Sequence, residues 1–453
     1  MKVHFIAIGG SAMHNIAIDM KNQGHDVSGS DNEIFEPSYS RLKKANLFPE
    51  KLGWYEENIS SSIDFVVLGM HAKADNPELL KAQNLGLRIV SYPEYLYECT
   101  KDKTRIVIGG SHGKTTITSM ILHILKYAGR KFDYMVGAQI EGFQNMVSLS
   151  ADTDLAVFEG DEYLSSTLDK RPKFHLYKPH IAVISGISWD HINVFPSFDI
   201  YKQQFIKFID CIEEQGTLIF SMDDFDLKQI AEKSSKNILK IPYTTHPNSI
   251  EKGITFLESE NGKYQLQVFG QHNLQNISAA LEVCLKIGID RPTIYSALAT
   301  FKGSQRRLQL LANHDNVSVF LDFAHAPSKL IATTQAVKTQ FPERKLVACF
   351  ELHTYSSMNV NFLGQYKDSL SHTDMAFIFL NPHSLAIKGL EPISESDITE
   401  SFNKPGLEVF FDANLLMNKL LSLKWENMNL LLMSSGNFSG MQLEKLSKLI
   451  LNK

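Results

Sequence analysis

The sequence predicts an α/β protein built from parallel sheets in three successive parts, and three observations lead there. A chain of 453 residues exceeds what one hydrophobic core usually supports. Short apolar runs alternate with helix-periodic runs, the order that gives parallel strands joined by crossover helices. That pattern restarts near residues 104 and 303, so the expected parts are 1–102, 103–302 and 303–453. A composition 43% hydrophobic and 21% charged is that of an ordinary soluble protein, and a net charge of −5 gives no general attraction to nucleic acid or anionic membrane. No apolar stretch approaches a membrane span. Cys99, Cys211, Cys284 and Cys349 are scattered without metal-ligand spacing, so reduced, buried thiols in a cytoplasmic protein are expected.

In the first part, strands are expected at 3–8, 25–29, 65–68 and 88–90, with helices at 12–23 and 77–83. The turn Gly9-Gly10-Ser11-Ala12-Met13, with Asp31 about 20 residues on, fits a dinucleotide-type fingerprint except that Ala7 takes the place of its first glycine. A tight turn packing helix on strand and a ligand loop both account for it. The charged segment 98–103 reads as a linker.

The second part opens on a strand, 105–109, that breaks into Gly110-Ser111-His112-Gly113-Lys114-Thr115-Thr116 and then a helix over 117–125. This is a phosphate-binding loop. Its glycines let successive amides face phosphate oxygens, the helix offers its positive end, Lys114 adds charge and Thr115 can hold Mg2+. Ile108 stands where the ordinary loop has its first glycine, so this is a shortened variant. Glu159-Gly160-Asp161-Glu162 follows an apolar strand about 45 residues later, where a phosphoryl-transferring site takes its acidic Mg2+ ligand, with Glu159 the chosen residue. Asp190-His191 ends the next strand, and His191 can serve a metal or a ligand oxygen. Asn273 and Asn276 open an apolar helix at 277–287; one can cap it while the other presents its amide outward to an adenine edge, and capping alone also explains the stretch.

The third part follows a hinge at 302–305, with strands expected at 317–321, 346–350, 375–380 and 430–433. Arg306-Arg307 is either surface charge or a fork that reaches a transferred phosphate. Asp322-Phe323-Ala324-His325 and the loop 434–440 lie at strand ends, where ligand contacts concentrate.

Together these motifs, in order and along the whole chain, resemble the Mur ligases of peptidoglycan synthesis. Residues 4–13 and Asp75-Asn76-Pro77-Glu78 look like the branch acting on UDP-N-acetylmuramate. The resemblance implies Rossmann-like first and last domains around a central ATP-binding domain. It also implies ATP-dependent amide formation through an acyl phosphate, in a monomer or weak homodimer. Lys114, Glu159, His191 and Arg307 would be catalytic, with Mg2+ on Thr115, Glu159 and His191. ATP would contact residues 110–116, Asn273, Asn276, Arg307 and Asp322. The substrates would contact Gly9, Gly10, Ser11, Ala12, Met13, Ser30, Asp31, His71, Asp169, Lys170, Arg171 and His325. The segment Asp169-Lys170-Arg171-Pro172-Lys173-Phe174 is similar to that of family members that add a whole tripeptide, so L-Ala-γ-D-Glu-meso-diaminopimelate is the expected acceptor and L-alanine the alternative. A nicotinamide-binding oxidoreductase or sensor is a remote alternative resting on Gly9 and Asp31. The chain departs from the family pattern at Ser111, Gly186, Ala326 and His353-Thr354, and neither Lys202 nor Lys207 can be assigned as a carbamylated lysine.

Overall fold

A computed structural model describes residues 1–189, 194–260 and 262–451. The expected α/β class is found, with three parallel-rich sheets and one small antiparallel one among the described residues. The chain divides into two compact units, 1–244 with 278–294, and 245–277 with 295–453.

The first unit holds two sheets. Strands Lys2–Ile6, Asp26–Ser30, Phe65–Leu68 and Arg88–Ser91 are all parallel, with Lys2–Ile6 between Asp26–Ser30 and Phe65–Leu68. The chain leaves Lys2–Ile6 to one side first and the other side later, so its carboxyl end is the switch point where α/β sheets bind ligands. The seven-stranded sheet places Thr104–Gly109 between Leu155–Glu159 and Ile181–Ile184, all parallel. Thr217–Ser221 and Leu239–Tyr243 extend it on one side, Asp133–Met135 and the antiparallel Val147–Ser148 on the other. Its central strand reads Ile106-Val107-Ile108, wholly buried, as a strand covered on both faces must be. The switch point here is the end of Thr104–Gly109, and the phosphate loop leaves from it.

Helix Ser11–Asn22 packs on the rim of this second sheet. Asn15 Oδ1 accepts from the Met146 amide and Asp19 Oδ2 from the Leu149 amide, at 3.3 and 3.2 Å.

The segment expected to be a linker is fixed. Residues 98–100 belong to helix Tyr92–Thr100, whose capping box uses Ser91 and Glu94. The fully buried Arg105 then donates to the carbonyls of Thr100, Lys101 and Lys103, and to those of Tyr177 and Lys178 and a carboxylate oxygen of Glu213. One guanidinium therefore closes the helix end and fixes the entry to the central strand. The cysteines are free but not uniformly buried, since Cys99 is exposed and only Cys284 and Cys349 are buried.

The second unit contains a six-stranded sheet in the order Gln309–His314, Val317–Asp322, Met428–Met433, Lys345–Leu352, Met375–Leu380, Glu408–Phe410, parallel except for its first strand. Its two faces carry separate apolar clusters, one including Phe350, Tyr366 and Phe402, the other Phe377, Trp425 and Leu446. A three-stranded antiparallel sheet, Asn248–Glu251, Ile254–Ser259 and Gly262–Gln265, completes the unit.

Candidate functional site

Gly110 and Gly113 have φ of +123° and +74°, the left-handed region that glycine tolerates, and Gly113 caps helix Lys114–Tyr127. A Cβ on Gly110 would lie 2.3 Å from Ser185 Oγ. The loop is tied to the chain beyond Ile181–Ile184. The Ser111 amide donates to Gly186 O at 3.0 Å, the Ser188 amide to Ser111 Oγ at 2.8 Å, and His112 Nε2 lies 3.0 Å from Ser188 Oγ. Gly186 has φ of +154°, which gives a local reason for glycine there.

Lys114 Nζ donates to Gly110 O and to Glu162 Oε2, both at 2.7 Å. Glu162 is 1% exposed and also accepts from Tyr201 Oη at 3.1 Å, while Ser111 Oγ lies 2.8 Å from that hydroxyl. Burial opposes the Lys114 ammonium, yet the carboxylates of Glu162, Asp161 and Glu159 outweigh it and hold its pKa above the ordinary value.

Thr115 Oγ1 donates to Glu159 Oε1 at 2.8 Å and the Gly137 amide to Oε2 at 2.7 Å. Burial raises the Glu159 carboxyl above its usual range despite Lys114 and these donors. An under-compensated carboxylate beside a hydroxyl, at the mouth of a phosphate loop, is the hard-oxygen donor set that suits Mg2+. Among the described residues, no group of three or more His, Cys, Asp and Glu side chains converges as a complete metal cage. Asp190 and His191 lie outside the described residues.

The segment 169–174 splits in two. Lys173 Nζ pairs with Asp161 Oδ2 at 2.8 Å, and Phe174 is buried against Phe208 with a centroid distance of 4.4 Å, beneath Gly109 and Gly160. These two residues support the phosphate loop. Asp169 and Arg171 form their own ion pair at 2.6 Å, and Lys170 is exposed.

At the first switch point, Asp31 is buried, and its Oδ2 accepts from the Gly9 amide at 2.8 Å. Burial raises its carboxyl, opposed by the amides of Gly9, Glu33 and Asn32. Ala7, in the place of the missing glycine, adopts φ of +70°. Gly10 precedes helix Ser11–Asn22, which includes Ala12 and Met13. Ser30 Oγ donates to the buried Glu78, to which the Tyr55 amide and Asn58 Nδ2 also donate, at 3.0 and 2.7 Å. His71 is exposed, near enough to Asp31 to act on it through charge.

The remaining candidates belong to the second unit. Asn273 and Asn276 are both buried, 5% and 6% exposed, within helix Gln271–Lys286. Asn273 Nδ2 donates to Phe269 O at 2.8 Å. Asp322 accepts from the Leu308 and Ala324 amides, both at 2.7 Å. Arg306 donates to Ser434 O at 2.8 Å, whereas the Arg307 guanidinium lies 4.8 Å from the Phe323 ring. His325 Nδ1 is 2.8 Å from Phe323 O.

Sequence reasoning assigned no role to Glu162 or Tyr201. The acidic run held the signal for Glu162; Tyr201 comes from helix Phe198–Asp210 and carries no local signature.

A glycine loop with Lys114 bonded to Gly110 and Glu162, and Thr115 bonded to Glu159, at a parallel-sheet switch point defines a nucleotide-dependent α/β enzyme site. The chain matches the Mur ligase family catalytic domain over residues 2–104 and the Mur ligase middle domain over 108–284. It is 32% identical to a UDP-N-acetylmuramate–L-alanine ligase of Caldicellulosiruptor saccharolyticus, across 90% of this chain and 89% of that one. Its fold is shared with UDP-N-acetylmuramate-alanine ligase from Thermotoga maritima (TM-score 0.72, 22% identity, 100% and 98% of the two chains). It is also shared with a murein peptide ligase from Psychrobacter arcticus (TM-score 0.67, 23% identity, 100% and 99%). The chain belongs to the Mur ligase family, whose members are ATP-dependent, amide-bond-forming ligases. Among the described residues, no helix is long and apolar enough to cross a membrane.

Proposed function

We propose that this enzyme joins the lactyl carboxylate of UDP-N-acetylmuramate to the amine of L-alanine, cleaving ATP to ADP and phosphate. The observation that carries the ATP-dependent half is the contact of Thr115 with Glu159 beside Lys114. The names of the curated relatives support this carboxylate and this amine better than they support the tripeptide expected from sequence.

In this reading a carboxylate must approach a triphosphate, and the two repel. Lys114 and the amides of residues 110–116 neutralise the phosphates and hold them in line for attack. Thr115 and Glu159, with His191, would hold Mg2+, which when bound lowers the charge on the transferred phosphate. A lactyl oxygen attacks the γ-phosphorus and ADP departs, leaving an acyl phosphate. The neutral amine then attacks the acyl carbon, the tetrahedral intermediate expels phosphate, and the nitrogen loses its proton. Asn273, Asn276, Arg307 and Asp322 are assigned to ATP, and His325 with the third part of the chain to the acceptor. We assign the sugar nucleotide to residues 1–102, ATP to 103–302 and the acceptor to 303–453, in a cytoplasmic monomer or weak homodimer.

A second reading keeps the tripeptide acceptor, favoured by the exposed Lys170 and Arg171 beside the half-buried Asp169. Phosphate release with UDP-N-acetylmuramate and either L-alanine or L-Ala-γ-D-Glu-meso-diaminopimelate separates them. A higher kcat/KM for L-alanine is expected; a higher value for the tripeptide establishes the second reading, and release independent of UDP-N-acetylmuramate overturns both.

A further inference from the structure

The acidic turn beside the phosphate loop poses an electrostatic problem. Glu159, Asp161 and Glu162 put three carboxylates within four residues of chain, next to a loop that must hold a polyphosphate. Two of them are engaged by the loop itself, Glu159 accepting from Thr115 and Glu162 facing Lys114 at 2.7 Å. Asp161 instead meets a second cation, Lys173, whose Nζ donates to its Oδ2 at 2.8 Å. The Lys173 backbone is fixed for that contact. Its amide donates to Tyr163 O at 3.0 Å, the Phe174 amide returns to Asp161 O at 3.1 Å, and the Phe174 ring stacks on Phe208. The ammonium also lies 5.5 Å from the centroid of the Tyr92 ring and 6.0 Å from that of Tyr163, with the side chain 13% exposed. So enclosed, Lys173 acts on a nucleotide through Asp161 rather than by leaving it.

We propose that Lys173 is a positioning residue for nucleotide binding, holding the Asp161 carboxylate in an ion pair and cancelling a negative charge that would otherwise repel the phosphates. The inference rests on the ATP reading given above. The Asp161 side chain is 41% exposed, so without its partner it stays ionised in contact with water instead of taking up a proton. The freed charge then opposes an anion and favours a cation. A merely loosened loop does not produce two effects of opposite sign.

Calorimetric titration of the full-length enzyme with ADP, once in EDTA and once in excess Mg2+, tests it. In EDTA, Lys173→Met should weaken ADP binding about tenfold, the effect of one uncompensated unit charge near the phosphates. In Mg2+ most of that loss should disappear, because the charge that repels the nucleotide attracts the cation bound with it. Asp161→Asn, alone or added to Lys173→Met, should bind ADP in EDTA at least as tightly as wild type, and Lys173→Arg should match wild type. Unchanged binding by Lys173→Met in EDTA overturns the inference, as does equal weakening in both media. Weaker ADP binding by Asp161→Asn overturns it independently, even where Lys173→Met does not fold. Wild-type enzyme that binds no ADP in Mg2+ overturns the ATP reading itself, a separate result.

Discussion

Glu162 carries more of the phosphate loop than its place in an acidic turn suggests. It faces Lys114 at 2.7 Å while almost fully buried, so its removal leaves a largely buried ammonium without its nearest counter-charge. Glu162→Ala should cost about 3 kcal/mol in urea denaturation, and adding Lys114→Met should recover most of that loss, a coupling a double-mutant cycle reads directly. Lys114→Ala alone should lower turnover by at least about a hundredfold. Gly110→Ala adds a Cβ 2.3 Å from Ser185 Oγ at φ of +123°; it should destabilise the fold by about 1–3 kcal/mol and abolish ADP binding in titration. Lys114 and Thr115 were legible because the loop's chemistry is contiguous in sequence. Tyr201 was not, because it reaches Ser111 from 90 residues away. Ala7 concealed its own role, since an alanine in the left-handed region does there what glycine usually does.

Helices and strands were readable where burial imposes a period. Met375–Leu380 falls where its apolar run is, and helix Lys114–Tyr127 begins earlier than its apolar stretch because Gly113 sets the start. The strands Asn248–Glu251 and Gly262–Gln265 were missed because they are largely exposed and polar. Packing between elements was invisible in sequence, and Arg105 and Asp19 show what it costs. Arg105→Ala would strand carbonyls from two segments and the Glu213 carboxylate, and should lower stability by about 3–5 kcal/mol in chemical denaturation. Burial pushes the Asp19 carboxyl from 3.8 up to about 7, where helix Ser11–Asn22 meets Leu149. A raised acid favours the protonated fold, so stability is lost as pH rises through the window from about 4 to about 7, by up to about 4 kcal/mol. Asp19→Asn should therefore raise Tm near pH ~8 and leave it unchanged near pH ~4.

At the scale of the molecule, the chain divides into two compact units, and among the described residues buried apolar clusters run from Val3 to Ala231 and from Ile6 to Ala82 in the first and from Leu308 to Ile450 in the second. Calorimetry should resolve two transitions, and ADP at about 100 times its Kd should raise the stability of the phosphate-loop unit by about 2.7 kcal/mol. A shift in both transitions would be the signature of ATP contacts from Asn273, Asn276 or Arg307. The α/β class was legible because parallel sheets write their buried strands as short apolar runs. The acceptor was less so, since two of the six residues in the segment that pointed to a tripeptide, Lys173 and Phe174, serve the interior.

The Lys114–Glu162 pair also bears on how the enzyme sheds its products. With its ammonium already facing a carboxylate at 2.7 Å, the loop offers a small anion little unbalanced charge, and any newcomer must displace an internal partner. A nucleotide meets that cost with several phosphate contacts at once, whereas the orthophosphate released in each turnover has few. Orthophosphate should accordingly inhibit only weakly and ADP more strongly when each is added to initial-rate assays.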